Sequence, residues 1–355
     1  MKAMVFESIG GPLFESEVAE PKPEKGELLI AIHAASVNPA DYKVRQGLYA
    51  GASELKMPHI SGRDFSGVVL DIGEGVDDFT FGDEVFGVLE AGREGTYAEY
   101  VCEKSDLICK KPGFLTHEEA SALALTGLTA IVSLKEAAKL KAREKVLIHG
   151  GAGGVGSYAI QYAKYIGAIV VTTAGQHNHN YLSELGADQI IDYNLTNFWE
   201  QVSDCDVVFD TVGFSVHEHS YSVLKSGGRL VYIAPQPDNF SPPRQDVEII
   251  RPKVGRSRDY LEQIIELAKS KKVIPPEIEI FGLIGLEASA CGIPSVIFES
   301  TGATDFIKHK EILENQLRED KIKILSPPIR ATYNSPFTLP MLRRNEVMFE
   351  IERNT

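Results

Sequence analysis

Cysteine, tryptophan and positive charge are what this chain has least of. Its four cysteines, Cys102, Cys109, Cys205 and Cys291, stand far apart and form no C-x-x-C pair. That excludes a disulfide framework and a thiolate metal lobe, and leaves reduced, part-buried thiols as the reading. Lysine and arginine number 36 against 50 acids, for a net charge of −14. Gripping nucleic-acid phosphates or an anionic membrane surface needs the opposite balance, so neither partner is expected. No run approaches the roughly 18 uninterrupted apolar residues of a membrane span. The opening Met-Lys-Ala-Met-Val-Phe reads as a first strand rather than a leader, so the cytoplasm is the expected compartment. A hydrophobic share of 43% over 355 residues suffices for two buried cores.

Glycine is not scarce, and where it gathers matters most. The apolar run Lys145–His149 ends in Gly150, Gly151, Gly153, Gly154 and Gly156, and an amphipathic helical pattern starts at Val155. Gly151, Gly153 and Gly156 fit G-x-G-x-x-G between a strand and a helix, the fingerprint of a dinucleotide site. The first glycine is expected to make the turn, the second to admit a pyrophosphate, and the third to let helix pack on strand. After the second strand, Ile169–Thr173, an NAD enzyme usually places an acid for the ribose 2′-hydroxyl. This chain has Gly175, Gln176, His177 and Asn178 there instead. With no carboxylate to repel a 2′-phosphate, NADP(H) is the expected cofactor. His177 and His179 are candidate partners of that phosphate, although polar-loop histidines are more often simply solvated.

Two regimes of patterning divide the chain. Through about residue 122, short alternating runs such as Leu28–Ala35, Gly67–Gly73 and Asp83–Leu89 are separated by Gly and Pro, a mostly β domain. From Glu118 the spacing turns helical, over Glu118–Leu125 and Ala130–Ala138. Strands and helices then alternate: Val146–Ile148, Ile169–Thr173, Tyr181–Leu185, Gln189–Asp192, Val207–Asp210, Glu218–Leu224, Arg229–Ala234 and Asp259–Ser270. That alternation predicts an α/β fold with a doubly wound parallel sheet.

These landmarks resemble a known family in their order. Ala35–Gly47, Gly62–Gly67, Gly95–Tyr100, Leu125–Ala130, Leu185–Tyr193 and Asp206–Gly213 are similar to the motifs of zinc-independent medium-chain reductases, the quinone and enone oxidoreductases. The resemblance runs from residue 1 to about 280. It implies a GroES-like, mostly β substrate domain at 1–122, with 272–282 joining it, and a Rossmann coenzyme domain at 123–271. It also implies NADPH-dependent reduction of quinones or α,β-unsaturated carbonyls, and a homodimer, since relatives are often dimers. Zinc-dependent relatives carry a cysteine near the Asn38 position, a His-Glu pair where this chain has Arg63-Asp64, and a four-cysteine lobe. All three are missing, so no metal ligand is expected.

The resemblance places an Asn38 loop over the nicotinamide, in a cleft between domains. Enone reduction puts negative charge on oxygen and calls for a facing donor, for which Asn38, Tyr42 and Lys43 are the candidates. A quinone can draw its proton from solvent instead. Thr126, Gly151, Gly153, Gly154, Val155, Gly156, Gly175, Asn178, Tyr193, Val212, Gly213, Ile233 and Ala234, with Asn38, are the candidate coenzyme contacts. Four of these have a plainer reading: a turn cap for Asn38, as for Asp41 beside Pro39, interface packing for Tyr42, solvation for Lys43, and core for Ile233. Arg63 is expected to pair with an acid.

The resemblance stops near Phe281. Glu279–Ile297, with Glu279 and Glu287 eight positions apart, is instead similar to the donor-sugar motif of retaining glycosyltransferases, and Gly302–Ile307 extends the likeness. A sugar transferase needs two nucleotide-binding-like domains, so a stretch of this length reads first as a strand–helix–strand packed on the body. The segment 283–355 is therefore atypical. A non-catalytic dinucleotide-binding protein stays open as a further alternative.

Overall fold

The structure, a computed structural model, describes residues 1–48, 54–237 and 239–270, and the backbone of short strands at 323–324, 329–331, 346–348 and 351–352. It forms two compact units. Cys291, Glu279, Glu287 and the segment resembling sugar transferases lie outside the described residues.

In the first unit, Met1–Val85 and Gly92–Glu103 are built on short antiparallel strands. β1 (Lys2–Phe6) pairs with β2 (Phe14–Glu17), and β4 (His59–Ile60) flanks its other side. β3 (Glu27–Ala34) pairs with β5 (Asp64–Ile72) in a five-stranded sheet of order β7-β3-β5-β6-β8, with β6 (Glu84–Val88), β7 (Tyr100–Lys104) and β8 (Ile108–Lys110). Leu28 and Ile30 of β3 point into the core at alternate positions, as the period of two requires. A Cβ at Gly67 would lie 2.0 Å from the Ala31 carbonyl oxygen, so only glycine lets β5 approach β3 at that shift in register.

The Asn38 segment, expected as a loop, is instead a short helix. α1 (Pro39–Arg45) opens with proline at its first turn, where the fixed φ and missing N–H cost nothing. Asp41 lies in the first turn and Lys43 and Arg45 in the last, each matching the helix dipole. Seven residues give too few apolar positions for a helical period to stand out.

The second unit carries a six-stranded parallel sheet of order β11-β10-β9-β12-β13-β14. The strands are β9 (Lys145–His149), β10 (Ile169–Ala174), β11 (Gln189–Asp192), β12 (Cys205–Asp210), β13 (Leu224–Tyr232) and β14 (Glu248–Ile250). Strand order reverses between β9 and β12, the switch point where open sheets of this type bind ligands. Val146 and Ile148 enter one hydrophobic cluster and Leu147 the other, so β9 is apolar on both faces. The same division puts Val207 and Phe209 of β12 on one face and Val208 on the opposite one.

Helices cover the sheet. They are α2 (His117–Ile131), α3 (Gly154–Tyr165), α4 (His179–Glu184), α5 (Ser215–Val223) and α6 (Arg258–Lys269). Thr116 accepts from the Glu119 amide while Glu119 accepts from the Thr116 amide, a capping box that fixes the start of α2. The two helical stretches expected at 118–125 and 130–138 are one helix, whose end, Val132–Ala137, widens into a π-helical turn. By length and composition His117–Ala137 would cross a membrane, yet its side chains are mostly buried against α3 and α6. Cys109 and Leu115 join this core, and the second compact unit takes in Phe86–Ala91 as well as the chain from Lys104 on. Burial pushes the thiols of Cys102 and Cys205 up to about 12 and that of Cys109 up to about 11, so the three described cysteines stay protonated at neutral pH.

Candidate active site

The carboxyl ends of β9, β10, β12 and β13 share one edge of the parallel sheet, and most candidate coenzyme residues fall there. The turn after β9 is made at Gly150, with φ of 69°, one position before the first glycine of the motif. Gly151 is required for another reason: its Cβ would stand 2.0 Å from Thr172 Oγ1. A Cβ at Gly156 would stand 2.2 Å from the Gly150 carbonyl oxygen, so helix and turn touch backbone to backbone. Gly153 caps α3 in extended conformation and has room, with Gly150 O 3.4 Å away as its nearest neighbour. Gly154, Val155 and Gly156 form the first turn of α3, whose amides have no helical partner and, with the dipole behind them, can receive an anion. Thr126 of α2 stands against this end, its methyl 2.9 Å from where a Gly154 Cβ would be.

Beyond β10, Gly175 begins a tight turn holding His177 and Asn178. Asn178 Nδ2 lies 3.1 Å from His177 Nε2, and a Cβ at Gly175 would meet the His177 ring at 3.1 Å and Tyr193 Oη at 3.5 Å. Gly175 therefore stands close to His177 and Tyr193, and Asn178 to His177, while the sequence from Ala174 to Asn178 carries no carboxylate. Asp192, nearest in sequence to Tyr193, is buried and accepts from the Asn194 amide at 2.9 Å.

At β12 the buried Asp210 accepts from the amides of Val212 at 2.9 Å and Gly213 at 2.8 Å. Burial opposes its charge, but the His217 contact and the two amides hold its carboxyl below the usual range. Val212 is exposed, whereas Ile233 is half-buried and Ala234 buried. His149, the last residue of β9, is buried with Nδ1 3.2 Å from Thr173 Oγ1 and Nε2 3.2 Å from Ser220 Oγ. Burial lowers it to about 4, so it is neutral in the working range. Sequence patterning offers no signal for His149, because its partners lie 24 and 71 residues away.

In the first unit, Asn38 is buried and its amide nitrogen donates to Ser36 Oγ at 3.2 Å and Asp64 Oδ2 at 3.1 Å. Those bonds occupy both donors, leaving only its oxygen to offer an external group. Tyr42 and Lys43 lie on α1, each half-buried. Arg63 donates to Glu94 at 2.9 Å and stands 3.8 Å from Asp41, the acid pairing expected of it. Asp41 Oδ2 accepts from the Asn38 amide and from Tyr97 Oη, both at 2.8 Å, while Oδ1 accepts no hydrogen bond. Burial first, then the Asp64 and Glu94 carboxylates, push Asp41 up to about 8. Sequence context gives Asp41 only the reading of a turn cap beside Pro39.

Comparison with known proteins places this geometry. The family described as "Alcohol dehydrogenase GroES-like domain" matches residues 24–113, and "Zinc-binding dehydrogenase" matches residues 154–270. The second description raises zinc, and the residues do not suit it. Arg63 puts a fixed positive charge beside Asp64, whose oxygens already accept from Ser36 and Asn38. No cluster of three metal-ligating side chains occurs among the described residues. A quinone-oxidoreductase homolog from Spinacia oleracea is 31% identical over 77% of this chain and 88% of its own length. An NADPH-dependent alkenal/one oxidoreductase from Arabidopsis thaliana is 33% identical over 78% and 72%. Among solved structures, Escherichia coli quinone oxidoreductase complexed with NADPH superposes with a TM-score of 0.71 at 25% identity, covering 82% of this chain and 97% of that one. The chain belongs to the quinone and enone oxidoreductases of the medium-chain dehydrogenase/reductase family.

Proposed function

We propose that the protein reduces quinones and α,β-unsaturated carbonyls with NADPH, without a metal. The observation that carries this is the bare backbone cradle Gly150–Gly156 at the sheet's switch point, followed by a β10 end free of carboxylate. When bound, NADPH supplies the hydride. The amides of Gly154, Val155 and Gly156 would hold its pyrophosphate, with Gly151, Gly153 and Thr126 shaping the approach. Gly175, Asn178 and Tyr193 would receive the adenosine side, and Val212, Gly213, Ile233 and Ala234 the nicotinamide side. Tyr42 and Lys43 would face the acceptor oxygen as donors while charge develops on it. Asn38, with its donors engaged, would serve through its oxygen or by holding α1 against Asp64.

A panel of quinones and enones with NADPH tests the reaction. Tyr42→Phe and Lys43→Ala are expected to slow enone reduction by about a hundredfold and quinone reduction much less. Equal losses on both acceptors would remove the donor role. NADPH binding with no turnover of any acceptor would favour the non-catalytic alternative. The sugar-transferase alternative has no support among the described residues.

The coenzyme preference has its own test. Gly175 has φ of −69°, so a side chain fits its backbone, and its neighbours are two movable side chains, the His177 ring at 3.1 Å and Tyr193 Oη at 3.5 Å. Gly175→Asp is expected to lower kcat/KM for NADPH by about tenfold through charge repulsion while sparing NADH. A fall of equal size with both coenzymes would count against NADP(H) selection at this turn.

Three further assignments belong to the same proposal. They are a functional division at 1–122, 123–271 and 283–355, a homodimer, and a cytoplasmic place consistent with the acidic balance. Relatives described as chloroplastic and mitochondrial show that the family occupies other compartments.

A further inference from the structure

The turn after β12 is held in a shape that its own residues do not favour. Gly213 has φ of 85°, and a Cβ there would stand 2.4 Å from the Pro235 carbonyl oxygen. Phe214 follows with φ of 53° and ψ of −128°, a region a bulky side chain seldom enters. Such backbone persists where its surroundings over-determine it, and it gathers at functional sites. Two anchors hold it here. The Phe214 amide donates to Pro235 O at 3.0 Å, and Asp210 accepts the Val212 and Gly213 amides.

Asp210 is itself held. His217 Nδ1 lies 3.1 Å from Asp210 Oδ2, both side chains are fully buried, and His217 Nε2 lies 3.1 Å from Gln236 Nε2. With Asp210 ionised, the consistent proton arrangement has Nδ1–H donating to the carboxylate and Nε2 accepting from the Gln236 amide. The rings of Tyr221, Tyr232 and Phe240 enclose the imidazole at centroid distances of 5.8, 4.9 and 5.2 Å. A carboxylate accepting three N–H groups is anchored at both oxygens, and the three rings around the histidine restrict its orientation. The result is a strap from Gln236, through His217 and Asp210, to the strained turn. Val212 and Phe214, exposed at 45% and 60%, are the apolar side chains that turn presents beside the switch point.

We infer that Asp210 and His217 are positioning residues that lock the Val212–Phe214 turn in the shape needed to receive the nicotinamide end of the coenzyme. The inference rests on the proposed coenzyme site. Neither side chain reaches the reacting atoms; both act through the turn.

The test compares two nucleotides on purified full-length protein by titration calorimetry. One is NADPH, and the other is adenosine 2′,5′-bisphosphate, which lacks the nicotinamide end. His217→Leu fills the ring enclosure with apolar volume but removes the donor to Asp210, and is expected to weaken NADPH by about tenfold. It should leave the bisphosphate within about twofold, because that ligand never meets the turn. His217→Asn, which keeps a donor near Nδ1, is expected to recover most of the NADPH affinity. A folded His217→Leu protein that binds NADPH as the wild type does overturns the inference. So does an equal loss with both nucleotides, which is the signature of general structural damage. If His217→Leu does not fold, Gln236→Leu at its part-buried position applies the same criteria, with an expected NADPH loss of about threefold. Wild-type protein that binds neither nucleotide would instead defeat the proposed function, so the two failures are distinct.

Discussion

Gly156→Ala is expected to abolish NADPH binding, raising Kd by at least about a hundredfold, and to destabilise the second unit by about 3 kcal/mol. The reason is the identity of the obstructing atoms. A new Cβ would lie 2.2 Å from Gly150 O, 2.9 Å from Gly150 C and 2.9 Å from Gly151 Cα, all of them backbone. No rotamer change relieves that contact, so α3 must lift from the turn and carry its first amides out of line. Gly153→Ala is the internal control. Its Cβ meets only Gly150 O at 3.4 Å, so the fold should survive while the methyl group crowds an approaching phosphate. Urea unfolding followed through the far-ultraviolet circular dichroism, with calorimetric titration of NADPH, separates the two effects. Binding by Gly156→Ala within about threefold of wild type would remove the helix N-terminus from the coenzyme site.

How much of this site was legible beforehand depended on the distance over which each signal acts. The strand–turn–helix around Gly151, Gly153 and Gly156 was legible because it is local and each glycine answers a backbone constraint. Even there the turn fell to Gly150, since φ is not spelled by residue type when several glycines adjoin. The missing acid after β10 was equally legible, as an absence at a counted position. α1 was not, because Pro39 and Asp41 read equally well as turn residues and seven positions cannot show a period. β2 and β14 escaped for a related reason: four and three residues are shorter than any reliable alternation. The remainder is tertiary. His149 and His217 gain meaning from Thr173, Ser220, Asp210 and Gln236. Nothing in the local sequence separates His217, fully buried, from His219, whose ring stacks on the part-exposed Trp199.

Asp41 gives the second large effect, read through pH. Its carboxyl is fully buried, sees Asp64 and Glu94 nearby, and titrates at about 8 in the folded protein. An unfolded chain releases the same proton near pH 4. Between those values the native state binds more protons than the unfolded one, so stability falls as pH rises through that window and levels off above about 8. Arg63 does not cancel this, since its Nε donates to Glu94 at 2.9 Å and stands 3.8 Å from Asp41. The Asn38 amide and Tyr97 hydroxyl favour the ionised form and are outweighed by burial. Carboxylates held low, Asp210 and Asp206 among them, act oppositely and lose their contribution as pH falls below the usual carboxylate range. Asp41→Asn keeps an oxygen for Asn38 and Tyr97 and cannot ionise. Whatever it costs through the amide facing Arg63 is the same at every pH, so the slope is the diagnostic. Relative to Asp41→Asn, wild type is expected to lose on the order of 2–4 kcal/mol between pH 5 and pH 8.5, measured by urea unfolding at fixed ionic strength. Parallel curves across that range would mean that Asp41 is already ionised in the folded state, with water or Arg63 compensating its charge.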